Sequence, residues 1–472
     1  MRTKGTLTLF TLGSLLSAVA AQAQNVPVRE LAAAEAKSTQ SFGNIFGLRQ
    51  LAGGKVLIND GIRRQLVMLD NNLSNPTVVI DSVSEGGQSY GPRPSPLIPY
   101  LADSSLFVDG QSLSLLVVDP FGKIAHVITA PKPSDLRFLA GGSSGVDGKG
   151  NLVYRGAMMI QQNRTAPATP GALPAPIQPP DSQPVVRGNF ETRIVDTIGR
   201  VKVSQGNRMN MTPGVDGKPP TIKMTINPLT TVDDWAVLSD GSIAFVRGHD
   251  YSIDWIRPDG STFSSAKLPF DWKRLTDDDK QKLVDSARTA MDKATADAKA
   301  AANTPGAAGA QQKAVEGMAA AMGGGGGGTM MVVRMDGGGG GGGGRGGDAQ
   351  VFSSGPGGPP GAMQMAAPTI EFVPLKEIAD YYPAIRPGAA KADLDGNLWI
   401  LPTTSAQAKN GELVYDVVNN KGELFQRVRL PLQRSIAGFG HNGIVYLMSR
   451  DDATRTWTLE KTRILNNARA TN

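Results

Sequence analysis

The chain contains no cysteine, which excludes disulfides, thiolate metal sites and a cysteine nucleophile. Its 3 histidines, His126, His249 and His441, fall in different parts of the sequence, and no spacing makes them converge on one ion. There is no G-x-S-x-G elbow, and no serine lies near both a histidine and an oxyanion turn, so nucleophilic catalysis has no motif. Lys and Arg number 48 against 42 Asp and Glu, and both signs are dispersed. A nucleic-acid binder would cluster its cations among aromatics, and one GRGG at 344–347 is no RGG array. Beyond the first 25 residues there is no apolar run able to cross a bilayer.

Residues 1–23 carry Arg2 and Lys4, then an apolar run, then Ala21-Gln22-Ala23. A basic start, a short apolar middle and a small-x-small end predict a secretory signal cleaved after Ala23, since the run is shorter than the ~20 residues of a membrane span. Its loss takes two positive charges and lowers the balance from +6 to +4. An exported chain without disulfides indicates a periplasmic or secreted bacterial protein with no transmembrane segment after cleavage.

Hydrophobic residues make up 40% of the chain, enough for a core, and they come in short runs. In residues 232–260, the runs DDWAVL, SIAFVR and YSIDWI are separated by SDG, GHD and PDG, the pattern of antiparallel strands joined by tight turns. The turn before the second strand recurs at Gly54, Ser104, Gly150, Gly241, Gly396 and Gly443, with gaps of 50, 46, 91, 155 and 47 residues. Three gaps match the ~40–50-residue period of propeller blades, so six four-stranded units are expected within residues 24–466. The sixth unit lacks one strand, and VPVREL (26–31) is placed to complete it and close the ring.

The two long gaps imply insertions. Residues 161–184 are Pro/Ala-rich and are expected to form an extended or disordered loop in the third unit. Residues 269–377 are expected to hold a helix capped by Thr276, with Asp277, Asp278 and Asp279 in its first turn, followed by a disordered tether with glycine tracts at 323–328 and 337–344. The apolar octad TMMVVRMD lies between those tracts.

The phrases DLDGNLWI, DSSLFVD and SDGSIAFV resemble the blade turns of six-bladed β-propellers of the NHL/TolB-like superfamily. VDDWAVLSDGSIAFVRGHDYSIDW, PFDWKRLTDDDK and YYPAIRPGAAKADLDGNLWI resemble secreted bacterial members of undefined activity. The resemblance, which covers roughly residues 26–466 apart from the insertions, implies a propeller and carries over no catalytic residue; with the insertions read from composition, the expected fold is an all-β six-bladed propeller with a helical, Gly-rich insertion.

In such a ring the loop after each second strand and the loop between blades open on the same face. Asp60, Asp109, Arg155, Arg247 and Arg450 end the second strands, and the interblade loops add Tyr90, Arg93, Arg137, Tyr381, Tyr382, Arg386 and Arg434. This arginine-rich set, with His249 and Asp250 beside it, suits a protein, glycan or small anionic ligand, because guanidinium presents a planar fork to carboxylate or phosphate. Alternatively, the same charges pair across neighbouring blades. The expected function is that of an exported, non-catalytic binding or scaffold protein without cofactor. The alternative is a metal-assisted hydrolase or lactonase using a calcium site built from Asn59, Asp60, Asp109 and Asp250. The tryptophans within strand patterns, Trp235, Trp255, Trp399 and Trp457, are expected to pack between blades, with Trp272 a candidate anchor for the inserted helix.

Overall fold

A computed structural model of the chain describes residues 26–82, 89–91, 94–109, 112–139, 143–157, 180–204, 207–212, 221–302, 369–406, 411–451 and 453–465. The short β-branched runs form six antiparallel sheets in succession. Blade one is Gly47–Gln50, Val56–Asp60, Gln65–Leu69 and Thr77–Ile80; blade two is Leu97–Pro99, Ser105–Asp109, Ser114–Val118 and Ile124–Ile128. Blade three is Gly145–Val146, Leu152–Arg155, Ser182–Gly188 and Val195–Lys202; blade four is Asp234–Val237, Ile243–Arg247, Ser252–Ile256 and Thr262–Ser264. Blade five is Ala390–Ala392, Leu398–Ile400, Val414–Val418 and Leu424–Arg429; blade six begins with Ser435–Phe439, Ile444–Arg450 and Trp457–Arg463. The first strands of neighbouring blades touch from blade six through one, two, three and four to five, which makes them the inner wall of a ring. The chain is a six-bladed β-propeller.

Alternation along the strands sends successive side chains to opposite neighbours. Trp235 packs with Val153, Val185 and Phe245 between blades three and four, Trp255 faces blade five, and Trp399 meets Phe439 of blade six at 4.9 Å. The turns are set by Asx side chains that accept local amides, the preference that puts Asp and Asn before Gly in the repeat. Asp147 Oδ1 accepts the Lys149 and Asn151 amides, both at 2.9 Å. Asp393 Oδ1 does the same for Asp395 and Asn397, at 3.0 and 2.7 Å.

The N-terminal segment closes the ring, but its register differs from the sequence expectation. Ala36–Lys37 supplies the fourth strand of blade six, antiparallel to Trp457–Arg463. Val28–Glu30 instead runs parallel to Leu424–Arg429 as a fifth strand of blade five. Two strand edges attract this one segment, and each takes a piece of it.

Three further departures concern the insertions. Ser182–Pro184, the end of the Pro/Ala-rich stretch, belongs to a strand, with Pro184 opposite Arg200. Proline is tolerated there because the second strand has ended at Arg155, opposite Val185. The loop between blades three and four contains a hairpin, Asn207–Thr212 with Thr221–Ile226, that the single expected insertion in that gap did not include. Its second strand pairs in parallel with Thr369–Phe372.

The inserted helix, Asp277–Ala302, starts at Thr276, whose Oγ1 accepts the Asp279 amide at 3.2 Å while Asp279 Oδ2 accepts the Thr276 amide at 3.1 Å. Val284, spaced on one face with Ala287 and Met291, is buried, and its cluster includes Leu229, Leu275, Val373 and Ile378. Trp272 packs edge-on to Phe270 at 4.7 Å. The glycine tracts, TMMVVRMD and the signal segment lie outside the described residues. Among the described residues no helix is long and apolar enough to cross a membrane.

The contact between blade turns is testable at two glycines with left-handed backbones. At Gly241 (φ +84°) an added Cβ would lie 2.1 Å from the Gly148 nitrogen of blade three, whereas at Gly260 (φ +88°) it would meet nothing within 4 Å. Gly260→Ala is expected to cost about 1–2 kcal/mol from backbone strain alone. Gly241→Ala should cost at least about 2 kcal/mol more, because overpacking adds to the same strain. Urea denaturation of the two variants checks this; equal losses would mean that the turns do not touch.

Candidate functional site

Asp60, Asp109, Arg155, Arg247 and Arg450 are each the last residue of a second strand, so the repeat does bring them to one face. Their environments then separate them. Asp60 is buried and accepts the amides of Gly43, Asn44 and Arg63 at 2.8, 3.2 and 3.0 Å. Asn59 binds the Ser95 carbonyl at 2.5 Å and accepts the Tyr90 hydroxyl at 2.7 Å. Asp109 accepts the Ser112 hydroxyl at 2.5 Å, and Asp250 accepts that of Ser252 at 2.9 Å. These four side chains are engaged by backbone and hydroxyl groups of the surrounding loops. Among the described residues no three His, Asp or Glu are grouped so as to hold a metal ion.

The arginines divide in the same way. Arg247 donates to Asp254 and Asp233 at 2.7 and 2.8 Å; burial lowers its pKa, but these two carboxylates outweigh that and raise it. Arg434 grips Glu460 through two bonds of 2.9 and 3.2 Å. Both are structural pairs, the reading weighed against ligand binding. Arg386, Arg450 and His249 are exposed. Arg93 lies outside the described residues, as does the side chain of Arg137.

Arg155 is different. Its Nε is buried and has no hydrogen-bond partner, and burial lowers its pKa against the opposing field of Asp234. Asp234 opens the inner strand of blade four, is only 3% exposed, and accepts the Ala390 amide of blade five at 2.8 Å. Burial pushes its carboxyl up to about 6, although backbone amides, Arg155 and Lys391 pull the other way. Lys391, in the inner strand of blade five, is likewise lowered by burial and supported by Asp234. Inner strands of blades four and five and the second strand of blade three thus bring two desolvated cations and one desolvated anion to the channel wall. A pocket of about 330 Å³, lined by Lys202, Asn227, Thr231 and Glu377 among others, opens beside Asp233 where the inserted hairpin meets the ring.

No protein-family model matches the chain, and no curated protein does. Solved structures similar to it include a streptogramin B lyase (10% identity over 91% of this chain and 96% of that one, TM-score 0.35). Virginiamycin B lyase from Staphylococcus aureus shows 9% identity over 91% and 98%, TM-score 0.33. Regucalcin, a calcium-binding protein from Agrobacterium tumefaciens, shows 11% over 93% and 96%, TM-score 0.32. At these values no activity transfers; the propeller rests on the strand order of the chain itself.

Asp234 and Lys391 escaped the sequence reading, which searched strand ends and loops. Their signal was local: a second Asp before Trp235 in VDDW, and one Lys among small residues in GAAKADLDG. A charge on an inner strand has only the channel or the blade interface to face.

The titration of Asp234 gives a signed prediction. A folded-state pKa raised from 3.8 to about 6 means that this group favours folding below pH 3.8 and that the benefit is lost as pH rises through 6. The change is on the order of 3 kcal/mol. Whatever Asp234→Asn costs at pH 4, that cost should shrink by about this amount by pH 7. Parallel urea denaturation of both proteins from pH 4 to 7 measures it; a pH-independent difference would contradict the assignment.

Proposed function

We propose that the protein is an exported, non-catalytic propeller that binds a small anionic ligand at the mouth of its channel. The observation that carries this reading is Arg155: a buried guanidinium nitrogen without a hydrogen-bond partner, which shares the opposing carboxylate of Asp234 with Lys391. Two cations against Asp234 leave a net positive charge in a desolvated wall. A carboxylate or phosphate would offer Arg155 the acceptors it lacks and relieve the burial cost of both cations. Export belongs to the same reading and rests on residues 1–23.

The hydrolase reading receives less support, because Asp60, Asp109 and Asp250, the carboxylates it would use, each accept hydrogen bonds from nearby loop groups.

Binding should be proton-linked. Asp234 loses its proton as pH rises through about 6, and its charge then repels the anion, so affinity rises on acidification. Thermal melting with inorganic phosphate and a series of di- and tricarboxylates tests this. At least one probe should raise the midpoint, by about 2.7 kcal/mol of stabilisation at a hundredfold excess over Kd, and more at pH 5.5 than at pH 7.5. The shift should vanish in Arg155→Gln and in Lys391→Met. A shift retained in both variants, or none with any probe, sinks the proposal.

A further inference from the structure

On the opposite face, a cleft of about 460 Å³ opens between blades five and six, a size within the ~300–1,000 Å³ of small-molecule sites. It is lined by the first-to-second-strand turns of both blades, the outer strand of blade five and Arg29 of the N-terminal segment.

Gln426 marks this cleft as more than imperfect packing. Three glutamines are buried to the same degree, Gln50, Gln183 and Gln426, each 8% exposed. Gln50 donates to the Tyr446 hydroxyl at 3.0 Å and Gln183 to the Gly156 carbonyl at 2.7 Å. The Gln426 amide makes no hydrogen bond to a described residue and is not among the side-chain atoms sealed from solvent without a partner, so its donor and acceptor face the cleft it lines. Its strand partner Val417 packs with the blade-five to blade-six core, so Gln426 points into the same space.

The neighbouring residue is presented by a β-bulge. Val418 pairs with Leu424 and Val417 with Gln426, leaving Phe425 as the extra residue. Phe425 is 40% exposed and lines the cleft beside the amide. Bulges re-aim side chains in this way next to functional sites.

We infer that this cleft binds a neutral sugar residue. The charges that line it balance, Arg29 and Arg463 against Asp393 and Asp395, which disfavours a net-charged ligand. The amide offers both donor and acceptor to ring hydroxyls, and the exposed Phe425 ring offers a face to the C–H side of a pyranose. Asp395 is fixed by the Asn442 and Gly443 amides of blade six at 2.9 and 2.7 Å, so the wall is preorganised.

A free monosaccharide and the end of a glycan present the same chemistry. Saturation-transfer NMR on the mature chain with glucose, N-acetylglucosamine and their β-1,4 disaccharides distinguishes the sources. Transfer to both sizes with equal affinity indicates a free sugar; transfer confined to the disaccharide, through its terminal ring, indicates a glycan end. Gln426→Leu should weaken binding at least about tenfold, the equivalent of one good hydrogen bond, while leaving the melting temperature unchanged or higher. Phe425→Ala should weaken it too and serves if Gln426→Leu does not fold. Lys391→Met, at the other face, should leave it intact. No transfer to any saccharide at millimolar concentration overturns the inference, as does binding that survives Gln426→Leu.

Discussion

Residues 28–37 cross from the outer edge of blade five to that of blade six and tie the start of the domain to its end. A ring of sheets packed face to face leaves no free blade face only if the last blade meets the first, and here first and last are joined through one short segment. Backbone pairing does part of this, with Leu31 bridged to Ile464. Charge supplies the rest. Glu30 meets Arg429 at 3.2 Å, Glu35 meets Arg463 at 3.1 Å, and Lys37 meets Glu460 at 3.6 Å. Each pair is partly exposed and individually weak, but in this register the two glutamates and the lysine each meet an opposite charge, and together they favour it.

This closure governs both candidate sites. With the ring shut, the inner strand of blade four is held against that of blade five, and the Ala390 amide reaches Asp234. Tyr251 reinforces the same seam: its hydroxyl donates to Asp416 of blade five at 2.7 Å, and Asp416 also receives Arg427 at 2.7 Å. On the other face the segment brings Arg29 to the cleft between blades five and six. Blade five therefore contributes to both, through its inner strand to the mouth and through its bulged outer strand to the cleft.

What the sequence revealed follows the range of the forces involved. Blade number, strand order and the residues ending the second strands were readable because local alternation and Asx turns determine them, as at Asp147 and Asp393. The pairing of Thr221–Ile226 with Thr369–Phe372 was not, since a parallel pair joins segments far apart in the chain and leaves no turn signal between them. The same limit applied to the candidate site. The sequence placed Arg155 and Arg247 on one face alike, but only the fold shows that Arg247 finds Asp233 and Asp254 while Arg155 finds no such contact.

That contrast between Arg247 and Arg155 is the physical basis for the proposed site at the mouth. Arg247, Arg434, Gln50 and Gln183 show that this fold pairs its half-buried guanidiniums and buried amides when nothing else is required of them. Arg155 departs from that pattern at its buried Nε, and Gln426 turns its amide to the cleft instead of to a partner in the chain. Poor packing does not account for them: Val153 and Val417, on the same strand or paired to it, are fully buried. Unmet hydrogen-bonding capacity at the buried Arg155 Nε is destabilising, and a group from outside the chain can relieve it. In the two proposals the charge of each wall selects the ligand: an anion where two cations face one buried carboxylate, and a neutral polyhydroxylated ring where the charges cancel.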